Sequence, residues 1–263
     1  NMQYDRNITI FSPEGKLYQI EYSFKAIRLP GDTTIGVRGG DTVCLITTKK
    51  VPDKLVDPSS MTRMYRITPR MGCCVTGRLP DARALIYKTR QIAAEFQFDN
   101  GYEIPVRHLA NEVANYNQLF TQHAYKRVPG VSLLFCSVDD EIGPRLYMVD
   151  PAGSCYGYHA VSSGTKEQEG MSTLEKMSKE RREKQKEESK AEESGTPSGD
   201  TASLRMNEQE TVEFAIEALQ KVLGVDFKSN QVEVAICTKT NPKFRSLTEK
   251  EIDEYLTAIS EKD

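Results

Sequence analysis

Two periods divide the apolar residues of this chain. β-branched runs at 33–37 and 42–48 flank Gly39-Gly40-Asp41, whose glycines permit the positive φ of a tight hairpin, so a first antiparallel pair of strands is expected there. A second pair is expected at 64–68 and 71–76, bracketing Pro69-Arg70 and ending at Gly77. Strands resume at 131–138, 145–150 and 154–160, punctuated by Gly143-Pro144 and Pro151-Ala152-Gly153, and a last one is expected at 231–238.

Between these runs the spacing becomes helical. Ser12-Pro13-Glu14-Gly15 places proline and glycine where a reverse turn wants them. Leu17, Ile20, Phe24 and Ile27 then form one narrow stripe on a helix that ends before Pro30-Gly31. Two long amphipathic helices follow, one carrying Ala82, Leu85, Ile86, Ile92, Ala93 and Phe96, the other Val106, Leu109, Ala110, Val113, Ala114 and Phe120. Another helix is expected around 166–177, and Val212, Ile216, Leu219 and Leu223 mark one that stops at Gly224. A terminal helix follows the capping box Thr248-Glu249-Lys250-Glu251, which satisfies exposed N–H groups at its start. Strands, two helices, strands and two helices again is the order of two stacked sheets covered on both outer faces. The expected fold is α+β, a four-layer α-β-β-α sandwich with residues 1–263 as a single domain.

Segment 175–210 breaks this pattern. Its 36 residues hold 18 charges and five hydrophobic side chains, too few to offset the entropy of ordering them. The first half interleaves acids and bases as a solvated helix does, and Ser194-Gly195-Thr196-Pro197-Ser198-Gly199 is composed as a flexible loop. A protruding helical extension with a mobile tip, partly disordered, is therefore expected. The bases from Lys179 to Lys186 are interrupted by Glu180 and Glu183 and the segment nets −2, which argues against a nucleic-acid patch.

This insertion also explains the composition. The 263 residues are 38% hydrophobic and 28% charged; without 175–210 the figures become about 42% and about 24%, ordinary for a globular domain. A net charge of −3 and a pI near 5.8 supply no field that would draw nucleic acid or an anionic membrane. No apolar run approaches the roughly 20 residues of a membrane-spanning helix, and the first residues lack the basic region and apolar run of a secretory signal. Neither nucleic acid nor membrane is expected as a partner.

Catalytic and metal chemistry finds little support. The six cysteines lie mostly inside apolar runs with no C-x-x-C pair, and His108, His123 and His159 are scattered, so buried reduced thiols are expected rather than a zinc site. No phosphate-binding glycine loop, nucleophile elbow or H-E-x-x-H helix occurs. Asp139-Asp140-Glu141 precedes Gly143-Pro144 and reads as turn chemistry. No metal or cofactor is expected.

One run is specific. Tyr4-Asp5-Arg6, then Thr9-Ile10-Phe11-Ser12-Pro13-Glu14-Gly15-Lys16-Leu17-Tyr18-Gln19-Ile20-Glu21-Tyr22, closely resembles the α-type subunits of the proteasome. The resemblance continues at Lys49-Lys50-Val51, Asp81-Ala82-Arg83, Gly101-Tyr102, Phe120-Thr121-Gln122, Ile142-Gly143-Pro144-Arg145-Leu146-Tyr147 and Asp150-Pro151-Ala152-Gly153. Val51-Pro52-Asp53-Lys54-Leu55, Gly101-Tyr102-Glu103-Ile104-Pro105-Val106 and Asn241-Pro242-Lys243-Phe244-Arg245 are most similar to the eukaryotic α6-type branch, which takes the α1 ring position.

That resemblance implies the N-terminal nucleophile hydrolase fold used without catalysis. In the catalytic β-type relatives a processed threonine opens the first strand and its own amine acts as base. Aligning Gly36 with the glycine of that strand puts Asp32 at the nucleophile position, and Thr33 and Thr34 are internal here. The resemblance further implies an N-terminal gate segment and helix over 1–31, in which Tyr4, Asp5, Pro13 and Tyr22 match the cluster that holds the gate open. Arg63 aligns with the lysine that usually meets the C-terminal carboxylate of activator tails, and its planar head alters that pocket. Implied partners are other α subunits in a seven-membered ring, β subunits below and regulatory particles above, in cytoplasm and nucleus. Departures from the family pattern are Arg127-Val128-Pro129-Gly130, where proline usually follows arginine directly, Phe120 in place of tyrosine, and the insertion itself. Two rival readings differ in class: a scaffold or tether acting through the charged insertion, and an amidohydrolase using Thr33 or Thr34 after proteolytic processing.

Overall fold

The computed structural model describes residues 2–191 and 204–262. Along the chain the elements are α1 (Met2–Asp5), α2 (Tyr18–Arg28), β1 (Thr33–Arg38), β2 (Thr42–Thr48), β3 (Met64–Thr68), β4 (Met71–Gly77), α3 (Leu79–Asn100), α4 (Val106–Gln122), β5 (Val131–Asp139), β6 (Gly143–Val149), β7 (Cys155–Gly157), β8 (Ala160–Gly164), α5 (Glu167–Ala191), α6 (Glu208–Leu223), β9 (Val232–Thr238), β10 (Arg245–Ser246) and α7 (Glu249–Ser260). The strands form two antiparallel sheets, ordered β10-β9-β2-β1-β8 and β3-β4-β5-β6-β7.

Strand periodicity builds the layers. Successive side chains of a strand point to opposite faces, so Cys44 and Ile46 of β2, with Val234 and Ile236 of β9, pack against Leu174, Ala215, Ile216 and Leu219 of α5 and α6. Their neighbours Val43, Leu45, Ala235 and Cys237 turn inward and meet Cys74, Leu134, Cys136 and Leu146 of the second sheet. That sheet's other face carries Cys73, Val75, Leu133 and Phe135, which bury Leu85, Ile86, Leu109 and Val113 of α3 and α4. Three apolar layers thus separate four structural ones, as the alternation of sheet and helix patterns requires. Each fully buried leucine or isoleucine contributes about 1.5–3 kcal/mol by leaving water.

The chain changes sheets where the sequence gives no punctuation. The single strand expected at 154–160 is two strands: β7 pairs with β6 in one sheet and β8 pairs with β1 in the other. His159 lies between them, its carbonyl accepting the Arg38 N–H at 2.8 Å. Apolar pattern alone reports burial, and both halves of this run border sheets.

The β1–β2 hairpin differs from expectation in its reason for glycine. Gly39 and Gly40 are absent from the positive-φ glycines. A Cβ on Gly39 would instead strike Thr211 Oγ1 and the Met206 carbonyl, and the Gly40 N–H donates to Met206 O at 2.9 Å. The chain returning from the charged segment is seated directly on this hairpin.

Both ends of 175–210 join the body. Met177, Leu204 and Met206 are buried in the layer beneath α5 and α6, Arg181 pairs with Glu210, and Gln185 Nε2 donates to the Arg205 carbonyl at 2.8 Å. The solvated character expected of the segment therefore does not extend to these apolar residues: Met177 carries the α5 stripe beyond Leu174, and Leu204 and Met206 bury the returning chain. Residues 192–203, where the loop composition falls, lie outside the described residues. Asn207 and Glu210 then form a reciprocal capping box that starts α6, and Thr248 with Glu251 forms the expected one for α7.

Candidate functional site

The N-terminal segment folds onto α2 through its own polar groups. Ser12 O accepts the Gly15 N–H at 2.8 Å and Ser12 N donates to Lys16 O at 2.9 Å, closing the turn that Pro13 enters. Tyr18 OH donates to Glu14 Oε2 at 3.4 Å, and Gln19 Nε2 donates to the Asp5 carbonyl. Tyr18 and Tyr22, four residues apart on one helix face, stack with centroids 6.5 Å apart, and Lys25 Nζ lies 5.5 Å from the Tyr22 ring centroid.

Asp5 and Tyr22 are brought together. Partial burial and a hydrogen bond with the Asp5 carboxylate push the Tyr22 phenol above its ordinary value, while the ring stays 39% exposed and so open to a neighbour. Tyr4 is half-buried in α1 and Pro13 is exposed at the turn; the contact that joins two of the four sequence-matched residues is the Asp5–Tyr22 pair. Ile10, Phe11 and Leu29 are exposed on the same segment.

Arg63 lies elsewhere, beside the start of β1. Its guanidinium pairs with Asp32, and the two side chains are 13% and 3% exposed. Arg63 Nη1 donates to Gly77 O at 3.1 Å, and the Arg63 backbone N–H donates to Glu233 Oε2 at 2.8 Å. Burial pushes the Asp32 carboxyl above the ordinary aspartate value, with the charges of Arg63 and Lys50 and the Thr48 hydroxyl pulling it back. Lys50 Nζ donates to Gly31 O at 2.6 Å on the exposed rim. Sequence reading placed Asp32 at the nucleophile position and Arg63 at a pocket without connecting the two. Their separation along the chain hides the pairing, and only the approach of β3 to the start of β1 reveals it.

The threonines of β1 are structural. Thr34 Oγ1 lies 2.8 Å from Thr47 Oγ1 and accepts from Thr76 Oγ1 at 2.9 Å, bridging the sheets in a buried polar knot. The Thr33 N–H donates to Thr48 Oγ1 at 3.2 Å. Six free cysteines are present, five buried and Cys155 half-buried; burial pushes the Cys74 thiol to about 12. Among the described residues no group of three or more His, Cys, Asp or Glu side chains could hold a metal, and no helix is long and apolar enough to cross a membrane. Asp139 Oδ1 accepts the N–H groups of Glu141 at 2.9 Å and Ile142 at 3.0 Å, the turn role its composition indicates.

Comparison with known proteins identifies the family. The family model for proteasome subunits matches residues 29–194, and the N-terminal signature of the A-type proteasome subunits matches residues 4–26. The chain belongs to the α-type proteasome subunits. It is 43% identical over 260 residues to the probable type-1 α subunit of the Schizosaccharomyces pombe proteasome, covering 99% of this chain and 98% of that one. It is 40% identical to the type-6 α subunit of the Caenorhabditis elegans proteasome, covering 99% and 97%, and 31% identical to the proteasome α subunit of Methanopyrus kandleri, covering 97% and 93%. These relatives agree with the α6-type resemblance of the sequence. The two stacked sheets and their helices are the N-terminal nucleophile hydrolase architecture of the proteasome family. Within that threonine protease complex, α-type subunits are the non-catalytic ring members and catalysis lies in the β subunits.

Proposed function

We propose that this proteasome α subunit controls substrate entry into the 20S core particle and receives regulatory particles. In this reading it occupies one position of a seven-membered α ring, contacts β subunits below and regulators above, and acts in ubiquitin-dependent protein degradation in cytoplasm and nucleus. A closed ring needs two different faces on each chain, because a heterologous contact ends only on closure. Free, mostly buried thiols suit a reducing compartment.

The observation that carries the gating role is the Asp5–Tyr22 contact on a phenol that remains open to a neighbour. A contact made in only one of two arrangements of an N-terminal segment shifts the population toward that arrangement. Tyr22→Phe in assembled core particles is the test. Activator-stimulated peptide hydrolysis should fall about two- to fivefold with basal hydrolysis unchanged; an unaltered stimulated rate would reject the gating role.

A further inference from the structure

A thioether finishes the outer edge of β8. Among the described residues β8 is the last strand of its sheet, and its inner side pairs with β1, Ser162 standing opposite Ile35. The outward N–H of Ser162 donates to Met171 Sδ of α5 at 3.3 Å. Sulfur, a weak acceptor, thus occupies a place where an open edge would otherwise meet water or another strand. Gly170 permits the approach, since a Cβ there would strike the Ser162 hydroxyl. That hydroxyl is buried and has no hydrogen-bond partner among the described residues. Met171 itself is 37% exposed, whereas Met64, Met71, Met177 and Met206 are buried.

We propose that Met171 is an oxidation site, at which hydrogen peroxide converts the thioether to a sulfoxide and so releases the Ser162 amide from α5. A sulfur lone pair attacks one peroxide oxygen and the O–O bond breaks as the S–O bond forms. The departing hydroxide takes the proton of the transferred hydroxyl and leaves as water, so sulfur is oxidised by two electrons and the peroxide reduced by two. The oxidised sulfur carries partial positive charge and no longer accepts the N–H. Its new oxygen is a strong acceptor best served by water, and the three rotatable bonds of methionine let it swing outward. The release is local, because other bonds hold the start of α5: the Thr165 N–H donates to Asp32 O at 3.0 Å, and Lys166 Nζ donates to Val222 O at 3.0 Å.

The test treats core particles containing the full chain with dilute hydrogen peroxide and follows each methionine by peptide mass spectrometry. Sulfoxide should form at Met171 ahead of Met64, Met71, Met177 and Met206. Hydrogen exchange at the Ser162 amide should then rise about two- to tenfold, the effect of losing one hydrogen bond, with exchange at the Thr165 amide unchanged. Reduction by methionine sulfoxide reductase should restore the protection. Met171→Leu removes the acceptor without oxidation, so it should show the raised exchange before peroxide and no further rise after it. Oxidation of the buried methionines ahead of Met171, or unchanged Ser162 exchange once Met171 is oxidised, would overturn the inference. Untreated and oxidised wild-type particles decide between these outcomes even if the variant does not assemble.

Discussion

Asp81, in the first turn of α3, receives both η nitrogens of Arg127 at 2.7 Å. The same carboxylate accepts the Gly130 N–H at 2.9 Å, and Gly130 O in turn accepts the Arg78 N–H at 3.0 Å. One acid therefore fixes the loop at 127–130 to the start of α3.

This contact sets a pH dependence. The Arg127 hydrogen bonds hold the Asp81 carboxyl below the usual aspartate value, and the Gly130 N–H adds to the effect against opposing burial. A depressed folded value means that the contribution is present above the unfolded pKa near 4 and fades as pH falls through and below the folded value. Arg127 is 60% exposed, so solvent screens the pair. Asp81→Asn should destabilise by about 1–2 kcal/mol at pH 7, with the difference from wild type shrinking below about pH 4 in denaturant titrations.

Glu213 of α6 is buried beneath the C-terminal segment. It accepts from Lys262 Nζ at 2.5 Å and Gln209 Nε2 at 3.0 Å. Lys262→Met should cost about 1–3 kcal/mol because a buried carboxylate loses its cation. The double variant with Glu213→Leu should recover most of that loss, since replacing both members of a buried pair by apolar groups is often neutral. A thermodynamic cycle from urea melts measures the coupling.

Gly72 of β4 lies under the Phe244 ring, where a Cβ would collide with the ring atoms. Gly72→Ala should destabilise by about 1–3 kcal/mol through overpacking. Phe244→Ala should cost about 3–5 kcal/mol by cavity formation. Combining them should cost less than the sum, because the added methyl then enters the vacated space.

Thr248→Ala removes the side chain that caps α7 at Glu251 N, 3.3 Å away. A loss of about 1 kcal/mol is expected, read as a lower denaturation midpoint with an unchanged slope.

These sites also show what the sequence could disclose. The Thr248 box is local, spanning four residues, and was legible as written. The Asn207 box has the same spacing but sat inside a charged run that looked uniformly solvated, so composition masked it. Helix stripes were legible because their periodicity reports one-sided burial, and strand pairs because β-branched runs are bounded by glycine and proline. The β7 to β8 switch was not, since both sheets demand the same apolar alternation. At the candidate sites, the N-terminal motif identified Asp5 and Tyr22 together. Asp32 and Arg63 flank separate strands as ordinary charged residues, and their pairing exists only once the sheets stack. Gly39 looked like a turn residue, yet its reason is the approach of Thr211 from α6, a contact across the fold.

The central claim is membership of an α ring that admits substrate, and electron microscopy of core particles isolated through this chain addresses it most directly. The account predicts the chain in an outer ring, with its Tyr18–Arg28 helix against neighbouring subunits and the Asp5–Tyr22 contact present. Recovery of the chain as a stable monomer, with no affinity for α or β proteasome subunits, would contradict it.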